Sequence, residues 1–366
     1  MSKASTVITA PGRYVQGRGA IYELGKHIEI LGYKKALVVG GKTGLASTRE
    51  GREVSFKEKG IEQIEEVFNG EVTYPEIDRL RDLALSNKCD VIIASGGGKA
   101  LDAVKGAAYK AKIGTVIVPT VASSDAPCSA LSVVYIENEL PENLFLPNNP
   151  NLVLVDVDLI AKAPVRSLVA GMGDAFATYY EARACKRSDA ITPSKGLCTN
   201  TAYSMAKLSN QILLEQGLQA KIAVENQVVN KALENIIETN TYLSGVGFEN
   251  NGCAVSHGFY NGVSRLQLEF SFMHGECVAF GTLVQLVLEN VPFEEFTNVQ
   301  KFYKSIGLPL TLKDIGLDTL SDEQMREAVR GAMDNNITHN MPFEVTFENL
   351  LDAVINADRL GAIASK

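Results

Sequence analysis

Cys89-Asp90-Val91-Ile92-Ile93-Ala94-Ser95-Gly96-Gly97-Gly98-Lys99-Ala100-Leu101-Asp102-Ala103-Val104-Lys105 is the stretch from which the fold is read. Val91 to Ala94 is an apolar run of the kind that forms a buried strand. Three glycines stop it. Ala100, Leu101, Ala103, Val104, Ala107 and Ala108 then recur at helical spacing. Strand, glycine turn and helix make an anion cradle, because glycines let a ligand come close to the backbone and take positive φ where needed. The first N–H groups of the helix point at that ligand, and the helix dipole favours negative charge there. Lys99 adds a full charge, so a phosphate or pyrophosphate is the expected guest. The loop is neither Gly-x-x-x-x-Gly-Lys-Ser/Thr nor Gly-x-Gly-x-x-Gly. A tight structural turn is the plainer reading of three glycines.

Working outward, the strands alternate with helices. Lys35 to Val39 reads as a strand ending at Gly40-Gly41-Lys42-Thr43, and Gln63 to Phe68 and Thr115 to Pro119 as two more. Helices are expected near Ala20–Leu31, Gly51–Lys59 and Tyr74–Asn87. This is the pattern of a parallel sheet covered on both faces. Ligands of such sheets bind beyond the carboxyl ends of the strands. The loops 40–43, 96–99 and 120–129 are therefore expected at one edge. Further strands are expected at Ser132–Ile136 and Leu152–Val155. After Asp158 the texture becomes helical to the end, with helices expected over 174–185, 197–215, 221–243, 278–289, 295–306, 322–333 and 347–357. This pattern places an α/β domain with a parallel sheet in residues 1–163 and an all-α domain in 164–366.

The whole chain sets bounds on function. Its 366 residues exceed the usual single core, and 46% hydrophobic with 21% charged residues suits a globular protein. A net charge of −8 argues against nucleic-acid or anionic-membrane binding. No apolar run approaches a membrane span. Met1 to Thr6 is short and polar and does not read as a signal peptide. Cys89, Cys128, Cys185, Cys198, Cys253 and Cys277 are scattered, so reduced thiols and a cytoplasmic location are expected.

Four histidines are present. His27 and His339 are isolated, and surface or cap roles are expected for them. His257 and His274 each precede a glycine in helix-rich sequence, where an imidazole can face a cavity and ligate a metal. Asp174 lies in Ala170-Gly171-Met172-Gly173-Asp174-Ala175, and its plain reading is an N-cap. Asp174, His257 and His274 together would leave a divalent site with an open position, which is the catalytic type. Cys253, His257, His274 and Cys277 would instead form a closed structural zinc site, with Cys253 and His257 on one helical face. Spacing leaves both readings open.

The stretches Pro11–Gly17, Gly96–Asp102, Pro119-Thr120-Val121-Ala122-Ser123-Ser124-Asp125-Ala126-Pro127-Cys128-Ser129-Ala130-Leu131-Ser132, Leu146–Pro150, Gly171–Ala175, Asn240–Glu249 and His274–Thr282 are the ones that carry a resemblance. They are similar to the iron-containing, or group III, metal-dependent alcohol dehydrogenases, and most of all to the glycerol dehydrogenases among them. The resemblance runs nearly end to end. It implies a fold of the dehydroquinate synthase type, in which residues 1–163 would be an α/β dinucleotide-binding domain and 164–366 an all-α metal- and substrate-binding domain, with the active site in the cleft between them. It implies that Asp174, His257 and His274 hold a catalytic metal, zinc or in some relatives iron. Gly97, Gly98 and Lys99, with Ala100, Leu101 and Asp102 beside them, would bind the pyrophosphate of NAD. Thr120, Ser123, Ser129, Leu131 and Tyr135 would line the rest of the cofactor groove, and Gly41 would lie near the adenosine ribose. Asp125 would face the hydroxyls of a small polyol or alcohol. A homo-oligomer, an octamer or smaller, is also implied.

On that resemblance, a metal-held hydroxyl would lose its proton and its carbon would pass hydride to the nicotinamide. Glycerol or a similar 1,2-diol would give a hydroxyketone such as dihydroxyacetone. No side chain stands out as proton acceptor, so a water relay is expected. Three departures from the family matter. Gly41 stands where NAD-using members carry Asp, which makes NADP the alternative cofactor. Tyr260 stands where a second histidine is usual, and Gln267–Phe272 lack the usual histidines; these two bear on the substrate, for which a related alcohol, aldehyde or hydroxyacid is the alternative. A zinc- and NAD-using lyase of the same scaffold would need a cleft richer in Lys and Arg than Lys42, Lys99 and Lys105. A non-catalytic dinucleotide sensor would have no reason to keep Asp174, His257 and His274.

Overall fold

In the computed structural model, residues 4–136 and 141–365 are described. The chain divides into two compact units. One comprises residues 9–165 and 222–245, the other residues 1–8, 166–221 and 246–366.

The first unit is built on a six-stranded sheet, all of its pairings parallel. Its strands are β1 (Tyr14–Gly17), β2 (Lys35–Gly40), β3 (Glu62–Val67), β4 (Val91–Gly96), β5 (Gly114–Pro119) and β8 (Leu152–Asp156). Their order is β1-β8-β5-β4-β2-β3. A separate antiparallel pair, β6 (Leu131–Val134) with β7 (Glu142–Phe145), lies between β5 and β8 in sequence. The helices are α1 (Leu24–Ile30), α2 (Lys42–Lys59), α3 (Tyr74–Ser86) and α4 (Gly98–Ala111). Ala36 and Val38, Val91 and Ile93, Val116 and Val118, and Leu152 and Leu154 share one buried face with Leu24, Ile28, Leu45 and Phe56 of α1 and α2. The alternate residues Leu37, Val39, Ile92, Ile117, Val153 and Val155 are equally buried. Both faces are thus covered, which is why these strands read as continuous apolar runs.

The chain goes outward from β2 to β3, then returns past β2 to β4. That reversal makes a switch point between β2 and β4, where the crevice of such a sheet opens. The turns after these two strands start α2 and α4. α2 begins at Lys42, earlier than the sequence reading at Gly51, because its N-cap is Gly41 and no side-chain cap announces it. After α5 (Val157–Ala161), α6 (Val165–Ser188) leads into the second unit. α7 is one helix, Asn200–Glu225, passing through the break expected after residue 215. α8 (Lys231–Glu238) continues through a π turn, Thr239–Leu243, into α9 (Ser244–Asn251). The second unit is completed by α10 (Val255–Ser264), α11 (His274–Leu288), α12 (Phe293–Ile306), α13 (Asp322–Met333) and α14 (Phe347–Ala364). No described helix is long and apolar enough to cross a membrane.

His27 is not at the surface. It lies buried in α1, and neither ring nitrogen has a hydrogen-bond partner among the described residues. Burial lowers its pKa, and Arg13 and Lys26 add to the effect. The unfolded chain therefore accepts a proton, near pH 6.5, that the folded chain resists. The contribution of this group is complete above that pH, falls as the pH drops below it, and levels off once the folded form is protonated. Replacing His27 with Leu is expected to flatten the loss of urea resistance between about pH 6.5 and pH 5. The slope removed is at most about 1.4 kcal/mol per pH unit. Urea midpoints at both pH values check this.

Candidate active site

Asp174 is the centre of the second unit's polar core. It sits in the middle of α6, not at its N-cap, and is fully buried. Its Oδ1 lies 3.3 Å from His257 Nε2 and 3.2 Å from His274 Nε2. Two ligands about 2.1 Å from one cation at a tetrahedral angle are about 3.4 Å apart. The spacing therefore fits a single ion bound by one carboxylate and two imidazoles. His274 is one-third exposed and His257 about one-eighth, so the fourth side opens toward His274. His257 belongs to α10 and His274 is the first residue of α11.

Glycines let these helices meet. A Cβ on Gly275 would fall 1.9 Å from the Ala170 carbonyl, and one on Gly173 would fall 2.4 Å from the Gly275 carbonyl. The N-terminus of α11 therefore lies against the α6 backbone, which puts His274 beside Asp174. Arg166, on α6, locks the same junction. Its Nε and a terminal nitrogen donate to Glu276 at 2.6 and 2.7 Å, and that nitrogen also reaches the Ser271 carbonyl at 2.7 Å. Glu276 accepts the Met273 N–H at 2.7 Å. The Tyr260 ring stands edge-on to His274, with centroids 4.3 Å apart.

The residue that sequence reasoning missed is Glu181. It lies seven residues, two helical turns, after Asp174, and it is fully buried. Its Oε2 is 2.6 Å from His257 Nδ1, and its Oε1 accepts the N–H groups of His257 at 2.9 Å and Ala254 at 2.8 Å. A carboxylate at Nδ1 holds the proton there and leaves the Nε2 lone pair facing Asp174. Cys253 lies in the same neighbourhood, within ligand reach of Glu181 and His257. The 2.6 Å separation is that of a charge-assisted hydrogen bond, which assigns this second group to orientation. Cys253 precedes α10, so it does not share a helical face with His257. Cys277 belongs to neither ligand group among the described residues, and burial pushes its thiol well up. The four-residue zinc site considered from the sequence is therefore not assembled.

The electrostatics favour a cation. Burial opposes the charge on Asp174, and His274 and His257 more than offset it, holding the carboxyl below its usual range. Burial likewise opposes an imidazolium at His257, while Glu181, Cys253 and Asp174 pull its pKa well up. The carboxylates of Asp174 and Glu181 thus make the space around His257 one that stabilises positive charge. Glu181→Gln is expected to weaken metal affinity by about 10- to 100-fold. Competition against a chromophoric chelator measures it.

The first unit places the other expected residues. Gly97 is the N-cap of α4, and no side chain caps the first turn. None of Gly96, Gly97 and Gly98 has positive φ. A Cβ on Gly97 would meet only Val121, at 3.4 Å, and one on Gly98 only Ser124 and Ala126, at 3.6 and 4.0 Å. The fold itself does not require glycine at these two places, since a Cβ at either would meet only ordinary contacts. Thr120 joins them, its N–H donating to the Gly96 carbonyl at 3.0 Å. Lys99 is half exposed and pairs with Glu71 at 2.6 Å, its ammonium over the Tyr135 ring at 5.1 Å. Ala100, Leu101 and Asp102 are buried along α4, and Ser129 is buried beside Lys105. Ser123 and Leu131 are half buried. Asp125 is buried, its Oδ2 accepting from the Ser244 hydroxyl at 3.3 Å. Gly41 has open space around its Cβ position, and the first turn of α2 holds no acid.

A family model for iron-containing alcohol dehydrogenases matches residues 11–157. The chain is 45% identical to a glycerol dehydrogenase of Escherichia coli O6:H1, over 97% of both chains. It is 44% identical to one of Thermotoga maritima, over 97% of this chain and 98% of the relative. The crystal structure of glycerol dehydrogenase from Schizosaccharomyces pombe superimposes with a TM-score of 0.94 at 33% identity, covering 99% of this chain and 93% of that one. On these full-length matches, the chain belongs to the iron-containing alcohol dehydrogenase family of oxidoreductases.

Proposed function

We propose that this protein oxidises glycerol, or a similar small 1,2-diol, to the hydroxyketone, with NAD as hydride acceptor and zinc as the metal, iron being the alternative. The observation that carries the reading is the Asp174–His257–His274 triangle, with Oδ1 to Nε2 distances of 3.3 and 3.2 Å. The full-length relatives named glycerol dehydrogenase support the choice of substrate. When bound, a divalent cation lowers the pKa of a coordinated hydroxyl, and the dinucleotide takes up the hydride.

The chain's own residues do the rest. Asp174 supplies the only carboxylate of the triad, so the ligand set leaves a dication half neutralised and favours negative charge developing on the substrate oxygen. Glu181 keeps His257 in the tautomer that offers Nε2. His274, the most exposed of the three, borders the open side through which a hydroxyl enters. Asp125 has a carboxylate suited to the hydroxyls of a polyol, and Ser244 holds its Oδ2. The uncapped first turn of α4 receives the pyrophosphate.

Turnover with glycerol, 1,2-propanediol and 1-propanol, each with NAD, tests the reading. The diols are expected to exceed 1-propanol in kcat/KM by at least about 10-fold, since a second hydroxyl adds contacts worth at least about 1.4 kcal/mol. Equal use of all three alcohols would contradict the assignment.

Gly41 favours a second reading, in which NADP serves. A carboxylate at this place would repel a 2′-phosphate, and none is there. Because a Cβ at Gly41 meets nothing within 4 Å, Gly41→Asp is expected to fold normally. It is expected to lower the ratio of NADP to NAD kcat/KM by about 10-fold or more. Parallel assays with the two cofactors check this.

A further inference from the structure

Lys105 is among the largest fully buried side chains of the protein, and no step above uses it. Its ammonium lies 2.8 Å from Asp102 Oδ1, on the same helix. It also donates to the Ala126 carbonyl at 2.9 Å and reaches the carbonyl and hydroxyl of Ser129, each at 3.4 Å. Asp102 Oδ2 in turn accepts the Val133 N–H at 3.1 Å. Burying an ammonium is costly unless its donors are satisfied, and here they are.

Its partners lie in the loop between β5 and β6. That loop has no regular secondary structure, yet Ala122, Asp125 and residues 127–130 are buried. Buried backbone carbonyls need partners. Asn240, in the π turn, donates to the Ala122 carbonyl at 3.0 Å, and Asn149 donates to the Cys128 carbonyl at 2.9 Å. Lys105 holds the part between Ala126 and Ser129. The same loop borders the cradle, since Ser124 and Ala126 are the atoms nearest to a Cβ built on Gly98.

We propose that Lys105 is a positioning residue: from α4 it fixes the loop that carries Asp125 against the helix whose first turn forms the dinucleotide cradle. One buried ammonium thereby couples the placement of the substrate carboxylate to the cofactor helix. This rests on reading the loop and cradle as the substrate- and cofactor-facing parts.

The test compares Lys105→Met with the double variant Asp102→Asn/Lys105→Met in the full-length, metal-loaded protein. The single variant strands the Asp102 charge and is expected to lose stability. The double variant removes both charges and is expected to recover most of the wild-type urea midpoint. Its loop is still without the anchor, so the amides of residues 122–130 are expected to exchange with deuterium at least about 10-fold faster than in the wild type. The KM for glycerol is expected to rise by a similar factor. A smaller folded fraction lowers apparent kcat and leaves KM alone, so the KM change separates positioning from stability. Wild-type loop protection and KM in the double variant would overturn the proposal, because Lys105 would then only balance Asp102. If the wild type fails to oxidise glycerol, the exchange comparison still decides the anchor, and only the substrate reading falls.

Discussion

His274→Ala is expected to purify without stoichiometric metal and to oxidise glycerol at least about 10³-fold more slowly than the wild type. A Lewis-acid cation contributes several kcal/mol of charge stabilisation, and about 4 kcal/mol corresponds to that factor. His274 is the right residue for the experiment because it is the least buried ligand, one-third exposed at the start of α11. Its truncation opens no cavity in a sealed core, and the junction with α6 is kept by Arg166 and Glu276. Dinucleotide affinity is expected to stay within about 2-fold, because the cradle belongs to the other unit. Turnover that survives with no metal bound would mean that the ligand assignment is wrong. Metal analysis and single-turnover kinetics on the same preparation read both quantities.

Gly98→Val has the second-largest expected effect, on the cofactor rather than the metal. A Cβ at Gly98 meets ordinary contacts at 3.6 and 4.0 Å, and its backbone is helical, so the variant is expected to fold. The isopropyl group then occupies the space beside the first free N–H groups of α4, where the pyrophosphate would sit. Losing close approach to those donors is expected to weaken dinucleotide binding by at least about 100-fold, or about 2.7 kcal/mol. Metal content is expected to be unchanged. Dinucleotide binding followed by NADH fluorescence measures the change, and wild-type affinity in the variant would refute the cradle.

The parallel sheet was legible because its strands are buried on both faces and so read as uninterrupted apolar runs. β7 was not, because Glu142–Phe145 is a largely exposed strand with no apolar run to mark it. The start of α2 was hidden for a related reason: Gly41 as N-cap leaves no Ser, Thr, Asp or Asn before the helix. Gly217 falls within the break expected between residues 215 and 221, but it sits inside α7, where a Cβ would meet Phe302 at 2.9 Å. It is there for close packing. At the site, Asp174, His257 and His274 stood out as ligand types beside glycines; Gly173 and Gly275 have their reason in the contact of α6 with α11, and Gly258 in its close approach to Thr338. Glu181 did not stand out, since a glutamate in a helix is usually solvated. Its spacing of seven from Asp174 was the available signal. Arg166 and Glu276 are far apart in sequence, and only the folded chain brings them together.

Metal-dependent oxidation of glycerol at the Asp174–His257–His274 site is tested most directly by measuring bound metal and NAD-linked glycerol oxidation on one sample, before chelation, after chelation and after adding back zinc. One ion per chain is expected, with activity lost in step with the metal and recovery of both on reconstitution. Full activity in the metal-stripped protein would contradict it.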